Sequence, residues 1–162
     1  HTEINQIYLN AVEELENTGY LPNGDYCYVD NGTGFEKQKE LAYPNEFVIY
    51  DINDDGIKDL IVSYGSYDTG INNKVYTVGD DEKYSYVGEF SGQYSFYEND
   101  DGEGVYAYDN STDFQVLKKV TFKNFVKCYE IWNSTSGKEM DVELGKICRP
   151  SACNDRYELY GA

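Results

Sequence analysis

The sequence predicts an α+β fold: one N-terminal helix packed on an antiparallel, meander-like β-sheet, with a strand–loop–strand site near the start of the sheet. Two observations predict it. An apolar stripe at helical spacing opens the chain. Short β-rich runs divided by polar turns then follow one another with no helical crossover between them, so they should pair antiparallel. At 162 residues the chain reads as one domain: helix 1–19, β-rich body 20–132 and a cysteine-containing tail 133–162.

The helix is expected over residues 2–17. Thr2 can cap its first turn, and Glu3 favours the N-terminal end. Ile4, Ile7, Tyr8, Ala11, Val12 and Leu15 recur three or four apart and form one apolar stripe, while Asn5, Asn10, Glu13, Glu14 and Glu16 take the opposite face. Asn17, Thr18 and Gly19 end it. Residues 21–44 are poorly periodic, with one strand-like run from Tyr26 to Val29. The strands then follow as Phe47–Tyr50, Leu60–Tyr64, Lys74–Val78, Tyr84–Phe90, Gln93–Tyr97, Val105–Tyr108, Phe114–Phe122 and Phe125–Trp132. The tail adds two weaker runs, Val142–Ile147 and Tyr157–Tyr160. Ile4, Ile7, Tyr8 and Leu15 are expected to bury against Phe47, Ile49, Ile61 and Val62.

The stretch FVIYDINDDGIKDLIVSYG, residues 47–65, organises the rest. Counted from Asp51, oxygen side chains fall at positions 1, 3, 5 and 9: Asp51, Asn53, Asp55 and Asp59. Gly56 holds position 6, where a loop wrapping a cation must turn sharply, and Ile57 at position 7 can offer its carbonyl. A hard cation needs six to eight oxygens at ~2.3–2.6 Å, and this spacing can supply most of them from one segment. Calcium is therefore the expected cofactor. An EF-hand is excluded, because position 12 is Val62 rather than a bidentate acid. The alternative is a solvated hairpin turn, since Asn, Asp and Gly are ordinary turn residues. Three carboxylates within nine positions repel one another unless a cation offsets them, which favours the metal. The acids of ENDDGEG, residues 98–104, lack the alternating order because Asp100 and Asp101 are adjacent, so a hairpin turn is expected there rather than a second cation site.

The net charge is −17, from 13 basic and 30 acidic residues, which disfavours nucleic acid and anionic membrane surfaces as partners. No run of ~18 apolar residues is present, so no membrane span is expected. The chain begins at His1 without a leader pattern and reads as a mature or trimmed form. His1 is the only histidine, which excludes a Ser-His-Asp site in the body of the chain and histidine-ligated zinc. Cys27, Cys128, Cys148 and Cys153 show no C-x-x-C pair, so two disulfides and an extracellular setting are expected. The expected pairing is Cys27 with Cys128 and Cys148 with Cys153. Eighteen tyrosines suit half-buried strands, and they also suit stacking on sugar rings.

The calcium loop resembles the strand–loop–strand loops of integrin-type FG-GAP and VCBS repeats on Asp51, Asn53, Asp55, Ile57 and Asp59. The wider order, amphipathic helix, apolar strand, DINDDGIKDLIV and the hairpin VYTVGDDEKYSYVGEF, resembles secreted or lipid-anchored proteins of Gram-positive gut bacteria over about residues 2–122. That resemblance carries no assigned chemistry. Such proteins commonly lack cysteines, and the tail here departs from them.

Together these features suggest a calcium-stabilised, non-catalytic secreted or cell-surface module that binds a glycan or a protein. Two alternatives use the acidic composition. One is a small glycosidase working through a carboxylate pair. The other is an acidic inhibitor of a cationic enzyme such as lysozyme.

Overall fold

The computed structural model describes residues 2–20, 24, 46–66, 70–100, 102–111, 113–147 and 157–158. Helix α1 spans Thr2–Thr18. Ten strands follow: β1 Glu46–Tyr50, β2 Asp59–Ser66, β3 Gly70–Val78, β4 Tyr84–Ser91, β5 Ser95–Glu98, β6 Val105–Asn110, β7 Gln115–Phe122, β8 Val126–Asn133, β9 Gly145–Lys146 and β10 Tyr157–Glu158. The expected run at Tyr26–Val29 lies outside the described residues.

The fold is α+β and mostly β, but the expected single sheet is two. One sheet has the order β10-β1-β2-β3-β4 and the other β8-β7-β6-β5-β9, with antiparallel pairing throughout. Each is a four-strand meander completed by a short tail strand. The tail strands β10 and β9 pair with the otherwise open edges of β1 and β5. Open edges invite pairing with other chains, so this placement closes one edge of each sheet.

The helix, the first sheet and the second sheet stack as three layers. Phe47 and Ile49 of β1, Leu60 and Val62 of β2, and Tyr76 and Val78 of β3 meet Tyr8, Ala11, Val12 and Leu15 of the helix. The alternate residues of the same strands, Val48, Ile61 and Val75, point the other way and meet Phe96, Val105, Ala107, Val120 and Phe122 of the second sheet. Side chains alternate across a strand, so a central sheet needs apolar residues at both parities. That is why β1 and β2 are continuous apolar runs.

Ile61 therefore does not pack under the helix as expected; it belongs to the core between the sheets. Ile4 and Ile7 are only partly buried at the margin of the helix layer, whereas Tyr8 and Leu15 are fully buried there. The residues after β5 form the expected hairpin turn, since β5 and β6 pair antiparallel across residues 99–104.

That turn docks on the loop between β1 and β2. The Gly104 amide donates to the Ile52 carbonyl at 2.8 Å. The Asn99 amide donates to the Tyr50 hydroxyl at 2.8 Å, and the Asn99 side chain donates to the Glu103 carbonyl at 3.1 Å. Gly104 has φ +105°, and a Cβ there would lie 2.8 Å from Thr121 Cγ2 and 3.0 Å from the Val120 carbonyl oxygen. Gly104→Ala is thus expected to destabilise the protein by ~1–3 kcal/mol through backbone strain and overpacking. Urea unfolding checks this; an unchanged midpoint would mean that the turn does not depend on close approach to β7.

Candidate metal site in the first hairpin

β1 and β2 pair from Glu46↔Ser63 to Tyr50↔Asp59, so the loop of residues 51–58 closes a hairpin. The expected strand–loop–strand frame is present. The local sequence dictates the loop's path. Asp54 takes φ +57° and Gly56 φ +84°, both in the left-handed region. Asp tolerates that region better than most residues, and Gly enters it without penalty. The Asp51 carboxylate sits inside the turn, accepting from the Gly56 amide at 2.8 Å and the Asp55 amide at 3.3 Å. Asp55 Oδ1 in turn accepts from the Ile57 amide at 2.9 Å.

Positions 1, 5 and 6 of the loop are therefore knitted together. Asn53 lies between them, and its Oδ1 is buried without a hydrogen-bond partner. A buried acceptor left unpaired costs about 1–3 kcal/mol, so native structures rarely keep one without a ligand, water or ion to meet it.

Asp59 stands apart. It is fully buried, at 0 % exposure, at the start of β2. One carboxylate oxygen accepts from the Ile52 amide at 2.9 Å and the other from the Thr77 hydroxyl at 2.7 Å. Next to it, the Tyr8 hydroxyl of the helix donates to the Lys58 carbonyl at 2.8 Å. This polar group ties the loop to helix α1 and to strand β3. Among the described residues, no three histidine, cysteine or carboxylate side chains gather closely enough to hold a metal. The structure thus ties the Asp51 carboxylate to the Asp55 and Gly56 amides and leaves Asn53 Oδ1 buried and unpaired, while Asp59 faces Ile52 and Thr77.

Burial and neighbouring charge both act on these acids. Burial is the main cause that pushes the Asp59 carboxyl up, to about 7; the Ile52 and Thr77 bonds pull against it, and the charges of Asp55 and Asp51 add to the rise. Burial also raises Asp51, opposed by the Gly56 and Asp55 amides and reinforced by the Asp55 charge. A carboxyl raised by burial and by neighbouring acids is one that a nearby divalent charge would hold ionised. The available donors are all oxygens: side chains of Asp51, Asn53, Asp55 and Asp59, and the Ile57 carbonyl. That set suits calcium rather than a soft metal.

The loop spacing was legible from the sequence; Thr77 and Tyr8 were not. Tyr8 reads as one more member of an apolar stripe, and Thr77 as an ordinary strand residue. Only the β2–β3 register brings Thr77 beside Asp59.

Beside the loop lies a small cleft of about 260 Å³, lined in part by Asp51, Asp54, Lys58 and Glu98. The cysteine expectations fall mostly elsewhere. Cys128 on β8 carries a free, half-buried thiol, pushed up by burial. Cys27, Cys148 and Cys153 lie outside the described residues. No helix among the described residues is long and apolar enough to cross a membrane. No protein-family model, curated protein or solved structure matches the chain.

Proposed function

We propose that the protein is a calcium-stabilised, non-catalytic binding module, secreted or held at the cell surface, with a glycan or a protein as its ligand. One observation carries the calcium part. In a loop of spacing D-x-N-x-D-G-x-x-D, the oxygen at position 3, Asn53 Oδ1, is buried without a partner between acids at positions 1 and 5. Calcium would be held by the side chains of Asp51, Asn53, Asp55 and Asp59 and the Ile57 carbonyl, with water completing the shell. Its role would be structural. The loop joins two strands whose side chains fill both cores, so ordering the loop orders the central sheet.

The Asp59 carboxyl, pushed up to about 7, has no exposed surface, so it is not presented to a substrate. This favours a structural use of the acid over a general acid in a cleft. Calorimetric titration of calcium into the chelated protein tests the proposal. One equivalent should bind, and Asn53→Ala and Asp51→Ala should each weaken it at least tenfold. Absence of binding at millimolar calcium would overturn the site.

A further inference from the structure

We propose that an open groove on the second sheet, at the β7–β8 hairpin, binds an anionic oligosaccharide: a run of pyranose rings some of which carry carboxylates. The inference rests on the binding-module reading and names the ligand class. The groove has a volume of about 1190 Å³, and its lining includes Lys119, Lys123 and Lys127 against one acid, Glu103. Three of the chain's 13 basic residues thus converge in a single groove of a protein whose net charge is −17. The net charge repels anions as a whole, and these three lysines offset it locally.

The lysines are interleaved with exposed rings. Phe125, at the hairpin tip, is 61 % exposed, and Tyr129 on β8 is 46 % exposed. Large apolar side chains left this open at one place mark a contact surface more often than isolated surface residues do. Lys127 Nζ lies 5.4 Å from the centroid of the Phe125 ring, and Lys119 Nζ lies 5.8 Å from that of Tyr106. β-Sheet register carries the arrangement inward, with Tyr106 opposite Lys119 and Lys119 opposite Tyr129. Tyr106 is buried, so the rings open to a ligand here are Phe125 and Tyr129, with Lys119 and Lys127 beside them. A sugar ring presents an apolar C–H face that lies flat on an aromatic ring, and a carboxylate on the same sugar can reach an adjacent ammonium.

Two competing anions fit less well. An acidic peptide most often binds a sheet by adding a strand at an open edge. At the start of β8 the outer edge is approached by β4: a Cβ at Gly88 would lie 2.9 Å from Val126 Cγ2 and 3.6 Å from the Val126 amide nitrogen, so a strand added there would have to displace β4. A single-stranded nucleic acid also stacks on rings, but it carries a charge on every residue and would extend from the groove over a strongly acidic surface. A saccharide with neutral rings between its carboxylates pays less of that repulsion.

The test uses the full chain in calcium with a hyaluronan octasaccharide, which alternates carboxylated and neutral pyranoses. Binding is expected to weaken at least tenfold in Phe125→Ala and in Lys123→Glu, and to weaken steeply with salt. Both side chains are exposed at the hairpin, so melting temperatures should stay close to the parent's. A neutral cello-oligosaccharide of the same length should bind at least tenfold more weakly. Equal binding by parent and both variants would overturn the groove assignment, as would stronger binding of polyglutamate or oligo(dT) than of the octasaccharide. Retained binding of a neutral glycan or a protein, unaffected by either variant, would overturn the groove while leaving the binding-module reading intact. Loss of a dimer in Phe125→Ala, with no saccharide bound by the parent, would show that the rings serve self-association instead.

Discussion

Chelation is expected to lower the melting temperature at neutral pH by roughly 5–10 °C, and calcium but not magnesium should restore it. With calcium at about 100 times its dissociation constant, binding to the folded form alone contributes ~2.7 kcal/mol. For a chain of this size, each kcal/mol shifts the transition by roughly 2–4 °C. Magnesium demands a tighter octahedral shell and gives up its waters reluctantly, so a loop with a single buried amide oxygen and several carboxylates suits it poorly.

The same acid that would serve the cation gives the chelated protein a pH signature. Asp59 ordinarily titrates near 3.8, and in the folded chain it is pushed up to about 7. Between those values the folded form keeps a proton that the unfolded chain has released. Its contribution is therefore complete below about pH 4 and is lost as pH rises through 7, with a ceiling of about 4 kcal/mol. Bound calcium holds the carboxylate ionised and removes that slope. Asp59→Asn should remove it too, while keeping an acceptor for the Ile52 amide and a partner for Thr77. Asp59→Ala leaves both without one and should cost a further ~1–3 kcal/mol. Melting curves from pH 4 to 8, with and without chelator, decide it. General acidity also weakens the fold as pH rises, so the comparison with Asp59→Asn is the deciding one. Equal slopes for the parent and Asp59→Asn in chelator would show that the buried acid does not titrate in this window.

Local chemistry was legible in this sequence to the extent that its cause is local. The stripe Tyr8–Ala11–Val12–Leu15 needs only the helical period, and it lies buried as that period implies. The turn at residues 51–58 needs only Asp, Asn and Gly at their positions, and Asp54 and Gly56 take the left-handed backbone the turn requires. What the sequence did not disclose depends on distant partners. The continuous apolar runs of β1 and β2 are consistent with one covered face or two, and only the second meander decides which. β3 begins at Gly70, four residues before the expected Lys74, because Asn72 and Asn73 look like turn residues. Asn73 is nevertheless buried, its side chain donating to the carbonyls of Phe90 at 3.0 Å and Gly92 at 2.9 Å. A polar residue becomes a strand residue once its hydrogen bonds are met across the sheet. Asp59 follows the same rule: counting positions marks it as a candidate ligand, but its partners come from the other end of the loop and from a neighbouring strand.

The layer order has its own test, and it is the largest single effect expected. Leu60 is fully buried between the sheet and the helix, together with Leu15. Leu60→Ala should destabilise by 2–5 kcal/mol, the range for deleting a buried leucine into a cavity the surroundings only partly refill. Ile61, its neighbour, is 1 % exposed and should cost about as much when truncated, but for a different reason, since it fills the core between the sheets with Val105 and Val120. Double-mutant cycles separate the two. Leu60→Ala with Leu15→Ala share one cluster and should couple by about 0.5–3 kcal/mol. Ile61→Ala with Leu15→Ala lie on opposite faces of β2 and should add within ~0.5 kcal/mol. Equilibrium unfolding in urea reads the three single and two double variants. Should Ile61, and not Leu60, couple to Leu15, the strand would be inverted, and Leu60 and Val62 would face the second sheet instead of the helix.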